Sequence, residues 1–339
     1  MNRNEQSYIV AIDSLGKIHF EIPVGARCHG IAPHPIRANI VTVYPKRPGY
    51  LAYVVNFDNG QIENEFKTAA NRYFYGHGTY SSDGRYLFSS ENDYENRRGL
   101  ITIRDTSNYQ VLEEIESGGI GPHDLVSQEN SLIVANGGIF EHPNAGDARE
   151  KLNIDSMDPS LVYLDLKSRK VLERYKPANH QQGIRHLSVT PKGDILTAIQ
   201  YEGSDIANNS LVAVSHAGNA FEYFNLPENL SKITQGYALS IANTDDVVAV
   251  SFSKANFVGF WNINTKEFLG KFDTIDPGGI SVSADTKKFL LSSSSGFIHS
   301  LDLEKLKSPV EDYNKDVNIV YSNPTDKWDN HLSVALKSV

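Results

Sequence analysis

Short runs in which apolar and polar residues alternate, bounded by Asp, Asn, Gly and Ser, recur along the whole chain and predict pairs of antiparallel strands. Tyr8 to Asp13 is followed by Ile18 to Ile22, Leu51 to Phe57 by Ile62 to Phe66, and Leu100 to Arg104 by Val111 to Ile115. Ser160 to Asp165 with Val171 to Tyr175, and Leu211 to Ser215 with Ala220 to Phe224, continue the series. Val258 to Ile263 with Phe268 to Phe272, and Phe297 to Leu301 with Val310 to Tyr313, complete seven hairpins. No stretch carries a long helical period, so the chain reads as all-β.

A second pattern precedes the hairpins. His186 leads into Leu187-Ser188-Val189 and His331 into Leu332-Ser333-Val334, while Ala238 and Gly279 lead into Leu239-Ser240-Ile241 and Ile280-Ser281-Val282 in the same frame. His29, His77 and His123 open three further copies, and the seven starts lie 41 to 63 residues apart. That spacing suits a four-stranded propeller blade with loop insertions. Six further strands fit between start and hairpin: Ile40 to Val43, Tyr86 to Ser89, Leu132 to Ala135, Ile195 to Ile199, Val247 to Phe252 and Phe289 to Ser292. The expected fold is one domain over residues 1–339, a seven-bladed β-propeller whose termini share a blade, so that no sheet edge is left open. In that shared blade the inner strand is expected at His331 to Leu336 and the hairpin at Tyr8 to Ile22. No strand is evident between them, which suggests that residues upstream of Met1 were removed or that the gene start is misplaced, the alternative being a three-stranded closing blade.

Composition narrows the function classes. A formal charge of −9, from 32 Lys and Arg against 41 Asp and Glu, without a basic cluster, argues against a nucleic-acid partner and favours cationic ligands. No run approaches the ~18 apolar residues needed to span a bilayer. The single Cys28 excludes an internal disulfide and reads as a small core thiol. Elbow, zincin-helix and phosphate-loop signatures are absent.

Several stretches resemble the bacterial domain-of-unknown-function 1513 family. They are Gly76-His77-Gly78 through Asn92-Asp93-Tyr94, Gly119 to Asp124 with Asn136-Gly137-Gly138-Ile139 and His142-Pro143, Lys151 to Leu161, and Trp328-Asp329-Asn330-His331-Leu332. The resemblance covers nearly the whole chain. It implies a secreted propeller, periplasmic once its signal peptide is removed, linked to iron uptake beside imelysin-type proteins. It implies no established chemistry.

The repeated register supplies the candidate site. In a propeller the residues before each inner strand surround one end of the central channel, so His29, His77, His123, His186 and His331 would converge. Neutral imidazoles gathered in this way suit Cu, Fe or Zn, and Ala238 and Gly279 at the other two positions favour a mononuclear or dinuclear site. Glu91, Asp93 and residues 200–202 end second strands and are expected to play no direct part. Arg185 beside His186, Asn136 in the turn Asn136-Gly137-Gly138, and Arg149 in the insertion near 136–159 are candidates for an anionic ligand. Three readings stay open for the histidines: metal ligands, a structural hydrogen-bonded ring, or a site for an organic or anionic ligand. At the level of function these become metal or ligand acquisition, a metal-dependent oxidoreductase or lyase, or a protein-interaction platform using Tyr44, Tyr50, Tyr73, Tyr75, Tyr94 and Phe140.

Overall fold

The computed structural model describes residues 1–147, 149–216 and 219–334. Among the described residues seven antiparallel sheets follow one another along the chain, six of four strands and one of three, and the protein is a seven-bladed β-propeller. The first sheet holds β1 (Asn2–Arg3), β2 (Gln6–Ile12) and β3 (Ile18–Val24), and the second β4 (Cys28–Pro33), β5 (Ile40–Pro45), β6 (Leu51–Asn56) and β7 (Gln61–Lys67). The third holds β8 (Arg72–Tyr80), β9 (Tyr86–Asp93), β10 (Arg98–Asp105) and β11 (Val111–Glu116). The fourth holds β12 (Pro122–Gln128), β13 (Ser131–Asn136), β14 (Ser160–Asp165) and β15 (Val171–Tyr175). The fifth holds β16 (Gln182–Val189), β17 (Ile195–Tyr201), β18 (Val212–Ser215) and β19 (Glu222–Phe224), and the short helix α1 (Glu228–Ile233) follows it. The last two hold β20 (Ile241–Asn243), β21 (Val247–Phe252), β22 (Phe257–Asn262) and β23 (Phe268–Asp273), then β24 (Pro277–Val282), β25 (Lys288–Ser293), β26 (Phe297–Asp302) and β27 (Val317–Ser322).

Burial explains the strand order. The second strand of a blade is covered on both faces, so β5 and β17 are buried at every residue and read as continuous apolar runs. The outermost strand meets solvent on one side, and β7 alternates exposed and partly buried positions with only Phe66 deeply placed.

The chain forms two compact units. One consists chiefly of Cys28–His186 and carries the second, third and fourth sheets. Its core is sheet-on-sheet packing, in which Tyr44, Phe66 and Phe74 meet edge to face and Tyr109 stacks on Phe66. The other is made chiefly of Met1–Arg27, residues 187–216 and Glu222–Val334, with an aromatic core of Phe252, Phe257, Trp261 and Phe268.

Departures from expectation concentrate near the termini. The last hairpin strand is β27, not Val310 to Tyr313, because a 3-10 turn at Leu303–Lys307 is followed by a buried anchor. There Tyr313 donates to Leu269 O at 2.9 Å, and Tyr313 N to Lys271 O at 2.8 Å. Residues 331–334 form no strand, and the expected continuation at 335 and 336 lies outside the described residues. Beside the first hairpin, Asn2 and Arg3 pair with Ser7 and Gln6, and Asn2 bridges Lys327. Arg3 clips this corner by donating to Asp326 at 2.5 Å and to Glu21 at 2.8 Å. Cys28 is only partly buried and is not the core thiol expected.

Glu91 and Arg104 form a buried pair at 3.2 Å on adjacent strands β9 and β10, and Arg104 also donates to Lys67 O and lies over Phe66. Burial pushes the Glu91 carboxyl above the usual range, opposed by Arg104. Arg104→Met strands that carboxylate, and urea unfolding at pH 7 is expected to show a loss of about 3–5 kcal/mol, much of it recovered in Glu91→Gln/Arg104→Met.

Candidate metal centre

Four of the five expected histidines meet inside the Cys28–His186 unit. His29, His77, His123 and His186 are 3–6% exposed, and their ring centroids lie from 4.6 Å (His123 to His186) to 6.2 Å (His29 to His123) apart. His29, His77 and His186 each offer a ring nitrogen within 4.8 Å of those of the others.

The local backbone makes this convergence. The pairing of β4 with β5 slips between Cys28 and Ile31, that of β8 with β9 between Phe74 and Gly78, and that of β12 with β13 between Pro122 and Asp124. Each slip is a β-bulge holding one histidine, a device that re-aims a side chain out of the regular alternation. Glycine then allows the strands to approach. A Cβ on Gly30 would stand 2.3 Å from Gly76 O and 3.0 Å from His77 Nδ1. Gly76 has φ +114° and a Cβ there would press on His29 Cδ2 at 2.8 Å.

Charged groups surround His123 and His77 asymmetrically. Arg47 grips Glu141 through both carboxylate oxygens, at 2.8 and 3.1 Å, and its third nitrogen lies 3.3 Å from His123 Nε2. Its guanidinium also lies over the Tyr75 ring at 4.9 Å. Burial works against the Arg47 charge, but Glu141 outweighs it and holds the group protonated. The Tyr75 hydroxyl is pushed up to about 12 by burial and by Glu141. Across the cluster, Asp124 Oδ1 stands 3.4 Å from His77 Nδ1.

The anion candidates separate. Arg185 is fully buried, lies against the backbone of Gly137, and acts on Tyr75 and His123. Asn136 is tied down at both ends of its amide, accepting from Ser117 Oγ at 2.8 Å and donating to Ser117 O at 3.0 Å. Arg149 is exposed, on the insertion, away from these contacts. The same insertion delivers Glu141, a site residue that sequence reasoning missed, and Asn153 pins it by accepting from Phe140 N and donating to Gly138 O.

His331 belongs to the other unit. It is partly buried, and its backbone packs so tightly on Gly279 that a Cβ there would meet Leu332 N at 2.4 Å. Of the aromatic set, Tyr44, Tyr73 and Tyr75 are fully buried, Phe140 is nearly so, Tyr94 is partly buried and Tyr50 is well exposed, so most of these rings pack inside. His34 caps a turn by accepting from Ile36 N and Arg37 N.

A family model described as "Protein of unknown function (DUF1513)" matches residues 22–335. No curated protein matches the chain. Among solved structures, Kuenenia stuttgartiensis hydrazine synthase superposes with a TM-score of 0.66 at 12% identity, covering 91% of this chain and 89% of that one. At that identity the likeness shows the fold alone.

Burial first, then the charges of His186, Arg47 and Arg185, hold His123 well below the ordinary histidine value. The unfolded chain therefore binds a proton below about pH 6.5 that the folded chain refuses, and stability falls as pH drops. In urea titrations with chelator between pH 7 and 5, wild type is expected to lose up to about 1.4 kcal/mol per pH unit more than His123→Phe. Equal slopes would show that His123 titrates normally.

Proposed function

We propose that this chain, which belongs to the DUF1513 family of proteins of unknown function, holds a transition-metal ion on its buried histidines. The observation that carries this reading is the set of ring nitrogens of His29, His77 and His186 within 4.8 Å of one another. A metal at about 2.1 Å from each nitrogen sets their separation at no more than about 4.2 Å, so small side-chain rotations close the set. Neutral imidazoles prefer Cu, Zn, Fe or Ni to Mg or Ca. Asp124 beside His77 Nδ1 suits the carboxylate–histidine–metal arrangement, in which the other nitrogen, Nε2, binds the ion. The net charge of −9 favours cation capture.

Periplasmic residence and a part in iron or other metal acquisition, which the family resemblance implies, complete the proposal. Holding or handing on the ion is preferred to turnover, because the chain carries no familiar catalytic signature.

Tag-free protein loaded separately with Cu, Zn and Fe(II) and then desalted is expected to retain one equivalent of at least one metal by elemental analysis. His77→Ala and His186→Ala are each expected to weaken retention at least tenfold while unfolding normally in chelator. With free metal at one hundred times Kd, wild type gains about 2.7 kcal/mol in stability. Retention no greater than that of the double alanine variant, for all three metals, would sink the reading.

A further inference from the structure

The four imidazoles of the Cys28–His186 unit are not equivalent, and the difference lies in the proton on His123. Arginine has only N–H donors, so the contact from Arg47 to His123 Nε2 makes that nitrogen the acceptor. A neutral imidazole accepting at Nε2 carries its proton on Nδ1. His123 Nδ1 is buried and has no hydrogen-bond partner among the described residues, and the residue is 3% exposed. The Arg47 contact is fixed in turn by the two-point grip on Glu141, which is 1% exposed. A buried donor of this kind calls for an acceptor.

Among the described residues no protein group supplies that acceptor. The rings around His123 lie at 4.6 Å (His186), 5.3 Å (His77), 5.9 Å (Tyr75) and 6.2 Å (His29), so His123 borders the cluster of His29, His77 and His186. Arg47 and Arg185 both bear on this histidine, and their positive field favours a negatively charged occupant.

We infer that His123 is no metal ligand but the N–H donor, positioned by Arg47 and Glu141, to a small exogenous anion bound on the metal: hydroxide, a carboxylate or another oxyanion. This rests on the metal reading and deepens it, since it leaves one coordination position for a ligand from solution and names the group that selects it. The ion is then held by His29, His77 and His186 with whatever further protein ligand completes the set. His123 contributes recognition.

The test uses Cu(II)-loaded full-length protein and azide as the probe anion, followed by the azide-to-copper charge-transfer band, with nitrogen couplings from electron paramagnetic resonance counting bound imidazoles. His123→Phe is expected to keep one copper and the wild-type couplings while azide affinity falls about tenfold or more, the scale of a lost hydrogen bond to a charged group. His123→Asn places an amide N–H near the position of Nδ1 and is expected to stay within about threefold of wild type, whereas His123→Gln, whose amide reaches the position of Nε2, behaves like Phe. Loss of a nitrogen coupling or of copper in the Phe and Asn variants would make His123 a ligand and overturn the inference. So would azide affinity unchanged in His123→Phe. Should the Phe variant fail to fold, the Asn and Gln pair decides by the same readout. Wild type that binds no copper overturns this inference, and the metal reading falls with it if Zn and Fe(II) are not retained either, whereas copper bound without discrimination among the variants fells this inference alone.

Discussion

The close passage of β4 and β8 is the constraint on which the rest of the site depends. Gly30 and Gly76 carry no Cβ, and that absence lets one strand's carbonyl oxygen and the other's imidazole occupy space that any other residue would fill. The β-bulges at the same points turn His29 and His77 out of the ladder, and the bulge at Pro122–Asp124 does the same for His123. Backbone geometry, not side-chain reach, therefore gathers the rings. Once they are gathered, burial holds His123 well below the ordinary histidine value, which favours its neutral form.

Electrostatics then divides the labour among groups that look alike in sequence. Arg47 and Glu141 cancel each other's charge, which makes their burial tolerable, and the rigid two-point geometry is what an isolated cation could not offer His123. Asp124 acts on His77 from the flank. The insertion after β13, held by Asn153, exists in this architecture to bring Glu141 across 94 residues of sequence to Arg47. Its cost is a long loop, and its return is a fixed tautomer at the centre.

Much of the blade architecture was legible because strands covered on both faces must be apolar and outer strands must alternate, so β14, β15 and β21 fall where the pattern puts them. The histidine register was legible for the same reason: repeats keep their frame. The failures have physical causes. Val310 to Tyr313 alternates like a strand, yet Tyr313 spends its hydroxyl on Leu269 O and locks the segment as an anchor, leaving β27 to close the blade. Arg47 and Glu141 are single charged residues in loops, and their meeting is a tertiary fact with no local signature. The bulges did leave a trace, since glycine inside a strand beside a histidine marks a close approach. Asn136, attractive beside two glycines, is consumed by Ser117.

The strongest objection to a chemical role is that propeller blades repeat a histidine for architectural reasons. The unit that carries Ala238 and Gly279 answers it. At that register serines do the structural work: Ser251 Oγ donates to Gly278 O at 2.8 Å, Gly279 N to Ser292 Oγ at 3.0 Å, and Ile280 N to Ser240 Oγ at 3.1 Å. The pairing of β24 with β25 slips between Pro277 and Ile280 just as it does around the histidines, so the bulge forms without an imidazole. In the histidine-bearing unit a serine is present as well, Ser90 donating to His77 O at 3.1 Å, and it ties the backbone there. A blade that can be built with Ala or Gly at this position has no structural need to bury an imidazole there. Burying polar rings costs free energy unless they are hydrogen-bonded or ligated.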